Sequence, residues 1–295
     1  MCPLPRKPAR HSSRRQSRRS VRQRLVAGIA IAHADAVAQH VIQAGVLASV
    51  VLILAAGCGS GTPTGPTATT PLPFLRETAT MRVYAEPGDQ VDTDWQESYN
   101  TWALAQLGLQ PPRKVDYRKY LSREAMGRYT GNFNTNGYAE PADWRFHTIW
   151  PRDNHEIVHV YTALFGRPSD FFNEGIAVAF QTDPAAGVFT ARFNGQDVHE
   201  ACRASLSAGQ LPLPLASYVT TTPFRNIQDQ VLSYRYAGSF VRFLIERHGL
   251  PAVIDFFRQA GGRDESLTAI RARTQSVFGR SLEDLEAAWL ARLRG

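Results

Sequence analysis

The sequence predicts an α+β protein with a small N-terminal β-sheet accompanied by helices, then a helix hairpin, then a C-terminal helical bundle. Two observations carry that expectation. Alternating, β-prone runs fall between residues 78 and 150, whereas from Pro151 onward apolar residues recur at helical spacing. The second half is also punctuated by helix stops and starts, at Gly166, Gly249 and Ser281-x-x-Asp284.

A leader precedes that body. The 295-residue chain carries a formal charge of +7, unevenly spread. Residues 1–57 hold nine Lys and Arg against one Asp, while the remaining 238 hold 24 basic and 25 acidic residues. The basic character therefore belongs to the leader. The body has no nucleic-acid footprint, and no nucleic-acid partner is expected. An arginine-rich run over 6–24, an uncharged apolar segment from Ala44 to Gly57 and small residues at its end read as a secretory signal. Leu54-Ala55-Ala56-Gly57-Cys58 resembles the lipobox of bacterial lipoproteins, with Ala55 where Leu usually stands. That resemblance implies acylation of Cys58, which would anchor the chain on the outer side of the membrane. Ser17-Arg18-Arg19-Ser20-Val21 resembles a twin-arginine export signal. Residues 58–75, rich in Gly, Thr and Pro, read as a flexible linker, leaving 76–293 as the folded domain. Cys2 and Cys58 both have N-terminal roles, so Cys202 has no evident disulfide partner.

Within the domain, Thr78 to Glu86 alternates and predicts a first strand. Pro87-Gly88-Asp89 turns the chain. Trp95, Tyr99, Trp102, Ala103 and Leu107 share helical spacing within Asp92–Leu107, and Gly108 supplies a stop. Lys114–Leu121 predicts a second strand, Ser122 caps a short helix, and Trp144–Trp150 predicts a third strand. Pro151 suits the first position of a helix running to Phe165, with Asp153 near its start. Pro168-Ser169-Asp170 opens the next helix, apolar almost all round and therefore buried. Helices are then expected over Asp197–Ala208, Gln230–His248, Leu250–Ala260, Ser266–Phe278 and Ser281–Leu293.

The chemistry-bearing stretch is His155-Glu156-Ile157-Val158-His159. On a helix the two histidines, four apart, share a face; neutral imidazoles so placed can grip a zinc ion, with the intervening Glu as proton acceptor. Glu174 sits in the buried second helix, where a lone carboxylate is costly unless protonated, paired or metal-bound. The short link 166–170 folds the two helices into an antiparallel hairpin and brings Glu174 toward His155 and His159.

His-Glu-x-x-His, fourteen intervening residues and then Glu174, inside Asn173-Glu174-Gly175, resemble the gluzincin metallopeptidases, and more closely the compact bacterial peptidase MA-like group, many of whose members are lipoproteins. Tyr234 to Gly249 resembles the helix that follows the active site in MA-like proteins. The resemblance implies a zincin-like fold, a Zn2+ cofactor held by His155, His159 and Glu174, Glu156 as general base, and a peptide or protein substrate. In the related zinc aminopeptidases a Tyr on a later helix donates to the oxyanion. Tyr234 is the candidate for that role, with Tyr236 second. An exposed edge strand would hold the peptide, either Gly137-Tyr138-Ala139 or residues 144–149. Two alternatives share the site: a catalytically silent zinc-binding surface protein, and a zinc hydrolase acting on a non-peptide amide. The blander readings make Asp153 a helix cap, His147 structural and Cys202 an inert thiol.

Overall fold

Residues 71–150 build a five-stranded mixed sheet, seen in a computed structural model that describes residues 71–183 and 190–295. The leader 1–57, Cys58 and the first part of the linker lie outside the described residues, and so do the expectations that rest on them. The strands are β1 (Phe74–Glu77), β2 (Met81–Ala85), β3 (Val115–Lys119), β4 (Gly137–Glu140) and β5 (Arg145–Thr148), in the order β1-β2-β3-β5-β4. The central strands β2, β3 and β5 run parallel, while β1 and β4 flank them antiparallel.

Three of these placements refine the sequence expectation. The strand expected over 78–86 is confined to 81–85, because the main-chain N–H of Thr80 is drawn to Glu97 Oε1 (3.1 Å) and residues 78–80 turn the chain back from an additional strand, β1. The fold also begins before residue 76: Leu72 is buried in a cluster with Tyr120, Ala125 and Met126, and β1 pairs with β2. Its flanking prolines masked this one apolar anchor within a linker-like composition. Residues 145–148 lie inside the sheet, so of the two stretches considered for an edge it is 137–140 that forms it.

Helix α1 (Thr93–Leu107) is capped by Asp92, whose side chain accepts from Trp95 N, and ends at left-handed Gly108 (φ 61°). Ser122 caps α2 (Arg123–Thr130). The motif helix α3 (Glu156–Thr162) is shorter than expected, with turns over 163–165, and α4 spans Asp170–Ala179. The Tyr99 hydroxyl lies within hydrogen-bond distance of the Asn154 carbonyl (3.0 Å) and the Phe180 carbonyl (2.8 Å), joining the start of α3 to the end of α4. The two helices are therefore antiparallel, as the short link requires.

The C-terminal half is helical: α5 (Val198–Ser207), α6 (Thr221–Arg225), α7 (Gln230–His248), α8 (Leu250–Arg258), α9 (Leu267–Phe278) and α10 (Leu282–Arg294). Helix α7 lies directly on α4, and two glycines make this possible. A Cβ on Gly175 would stand 2.8 Å from the Ala237 carbonyl oxygen, and one on Gly238 would stand 2.2 Å from Val178 Cγ1. Asn-Glu-Gly thus places the carboxylate of residue 174 next to the point of closest helix contact. The bundle also fixes the start of α4, since buried Glu265 accepts from Ser169 N (3.1 Å) while paired with buried Arg273. Ser239, His199 and Glu246 stand in series, but Ser239 is fully buried and accepts from Trp289 Nε1 (3.0 Å), so they serve packing. Cys202 is buried, and burial pushes its thiol up to about 12. Among the described residues no helix is long and apolar enough to cross a membrane.

Candidate metal centre

The site is built from the first turn of α3 outward. Asp153 Oδ1 accepts the main-chain N–H of His155 (3.0 Å) and of Glu156 (2.8 Å), satisfying donors that have no intrahelical partner. Asp153 is therefore a helix cap. Gln96 in turn holds the Asp153 main chain on both sides, accepting from its N–H (2.8 Å) and donating to its carbonyl (2.7 Å). This buried bracket fixes where the motif helix starts.

His155 Nε2, His159 Nε2 and Glu174 Oε2 form a nearly equilateral triangle with edges of 3.2, 3.1 and 3.3 Å. Tetrahedral zinc with bonds near 2.05 Å would need its donors about 3.3 Å apart. Two imidazole nitrogens and a carboxylate oxygen are also the donor types zinc takes. The three residues could hold a metal ion without rearrangement, and they are the one such group among the described residues. Burial alone would raise the Glu174 carboxyl, but His159 and His155 outweigh it and hold the group well below the usual carboxylate range.

A surrounding layer orients these donors. The Asn173 amide nitrogen lies 3.1 Å from His159 Nδ1; with the amide turned over, its oxygen would accept from an Nδ1–H when Nε2 faces a metal. Arg225 Nη2 donates to Glu174 Oε1 (2.6 Å), which leaves Oε2 for the histidines. The same guanidinium donates from Nε to fully buried Asp170 (2.6 Å), which Arg263 also grips (2.8 and 2.7 Å). His155 Nδ1 is buried and has no hydrogen-bond partner among the described residues.

Glu156 points away from this layer. Its carboxylate makes no side-chain hydrogen bond among the described residues and lines a cleft of about 860 Å3 shared with the triangle. Desolvation pushes its pKa up to about 8; a cation on the triangle would oppose that rise. The edge strand β4 forms the facing wall. Gly137 is in contact with Glu156, and a Cβ there would stand 3.1 Å from both Glu156 Cγ and Oε1.

The structure separates the two tyrosines. Tyr234 lines the cleft, its ring 5.7 Å from that of His155 and its hydroxyl 3.4 Å from Arg225 Nη1. Tyr236 is fully buried on the opposite side of α7, against Phe171 and Trp289. A signal for this existed in the sequence: Tyr236 belongs to the apolar stripe with Phe240, Phe243 and Leu244, and Tyr234 does not. His147 lies outside the site, stacked between Tyr120 and Tyr138, where burial pulls it down to about 4. Sequence reasoning missed Arg225, and it named Asn173 only as the neighbour of Glu174 and Gly137 only as part of a possible edge strand, not their contacts with His159 and Glu156. Only Asn173, adjacent to Glu174 and fourteen residues past His159, carried a local hint.

No protein-family model and no curated protein matches this chain.

Proposed function

We propose that the protein is a zinc-dependent peptidase, tethered outside the membrane through lipidated Cys58. The observation that carries this reading is the His155–His159–Glu174 triangle with Glu156 beside it in an open cleft. Zn2+ held by the three side chains would supply a Lewis acid that polarises a carbonyl and brings the pKa of water toward neutrality. Glu156, whose carboxylate bonds to no other side chain among the described residues, accepts the proton of the attacking water and returns it to the leaving amine nitrogen. The Tyr234 hydroxyl donates to the developing oxyanion. Main-chain groups of Gly137–Glu140, at the open edge of the sheet, hold an extended peptide alongside. An intact Glu156 supports turnover over a silent zinc-binding role, since zinc retention alone does not require it.

The test is cleavage of a broad peptide library by the full-length protein. Cleavage is expected with zinc, to vanish on chelation and to return on zinc re-addition. Stoichiometric zinc with no cleavage of any peptide would favour the silent protein. Gly137→Ala supplies a finer check. The added methyl displaces the Glu156 carboxylate by tenths of an ångström, so hydrolysis should fall about ten-fold with zinc content unchanged. Unaltered kcat/KM would show that Gly137 does not set the position of the base.

A further inference from the structure

We infer, resting on the peptidase reading, that the cleft selects peptides carrying carboxylates on both sides of the bond presented to the triangle, read by Arg123 and Arg167. Among the described residues four arginines and no lysine line the cleft: Arg123, Arg152, Arg167 and Arg225. Its three acidic residues are all committed. Asp153 is buried and caps α3, Glu174 is buried against Arg225 and the histidines, and Glu156 has the proton-transfer role. No acidic side chain is left to receive a basic substrate group.

The arginines divide differently. Arg225 is saturated by Asp170 and Glu174, and Arg152 is tied to Asp92 (2.8 Å). Arg123 and Arg167 are exposed and make no ion pair among the described residues. This concentration of positive charge is not a by-product of a basic surface, because residues 58–295 hold 24 basic against 25 acidic residues.

The two free guanidiniums bracket the triangle. Glu156 at the start of α3 meets Gly137 at the start of β4, while Tyr161 near the end of α3 meets Trp144 (5.9 Å), just beyond the end of β4. Helix and edge strand therefore run alongside in the same sense. Arg167 follows the far end of α3; Arg123 lines the cleft with Asn134, Thr135 and Asn136, before β4 begins. A peptide extended along β4 would pass one guanidinium on each side. The planar fork of Arg suits a carboxylate, whether from Asp, Glu or a free C-terminus.

The test uses full-length Glu156→Gln protein and fluorescent peptides that flank a neutral centre with Asp and Glu, with Asn and Gln, or with Lys. Each is prepared with a free and an amidated C-terminus. The acidic peptides should bind about ten-fold tighter than the neutral ones, about three-fold per exposed contact, with the advantage fading as salt rises. Lys peptides should bind weakest. Arg123→Glu and Arg167→Glu should each remove about three-fold, and the double variant should favour Lys peptides. Loss of affinity on amidation, abolished in one single variant, would assign that arginine to the chain terminus; indifference to amidation would assign both to side chains. Equal binding of the three peptide classes, or an unchanged order after charge reversal, would overturn the inference. The wild-type kcat/KM on the same peptides separates the two readings. Tight acidic binding without cleavage overturns the peptidase and keeps the arginine roles. Cleavage with no acidic preference does the reverse.

Discussion

Glu156→Gln is expected to leave one zinc per chain in place and to lower peptide hydrolysis by about 10²- to 10⁴-fold, the usual contribution of a positioned general base. The side chain faces the cleft and bonds to no other side chain among the described residues, so a near-isosteric amide should disturb neither α3 nor the triangle. What is lost is the ability to take a proton. Elemental analysis and kcat/KM on the same preparation check both halves. Undiminished hydrolysis would remove Glu156 from the mechanism, and loss of zinc would make it a structural support of the ligands instead.

Glu174→Ala acts on the other half of the chemistry. It deletes the anionic donor and frees Arg225 Nη2, which points into the site. Asp170 still holds that guanidinium through Nε, so the packing of α4 against α6 should survive. The loss should read out in the metal. Removing an outer partner of a ligand typically costs 10–100-fold in affinity, and removing the ligand itself should cost more than about 100-fold. Glu174→Gln should fall between, since the amide oxygen can still accept from Arg225 while the ligand charge is gone. Competition with a chromophoric chelator measures all three proteins. Wild-type affinity in the Ala variant would show that the two histidines bind zinc without this carboxylate.

The meeting of His155, His159 and Glu174 was legible because its information is local. A spacing of four between the histidines fixes a helix face, and a short link forces an antiparallel return that brings Glu174 back to them. Capping residues were legible for the same reason: Ser122, Ser266 and Ser281 each accept from an N–H three residues on. The outer layer was not. Arg225 meets Glu174 across 51 residues, and nothing in its own neighbourhood reports the contact. Gly137 matters only because β4 pairs with β5 in a register that sets Thr148 opposite it, beside the motif helix. Strand order has the same character. The alternation of Trp144–Trp150 reveals a strand, but whether that strand is central or at the edge depends on β3, more than 25 residues earlier, pairing on the side away from β4. The arginine pair reads as ordinary surface charge until α3 and β4 are seen to run side by side.

Anomalous diffraction at the zinc edge, from crystals of the full-length protein grown with zinc, asks whether the two helices aim three donors at one point. One peak is expected within about 2.0–2.2 Å of His155 Nε2, His159 Nε2 and Glu174 Oε2. A zinc-saturated crystal with no peak there, or with the residue-174 carboxylate turned from the imidazoles, would contradict the metal centre and the peptidase built on it.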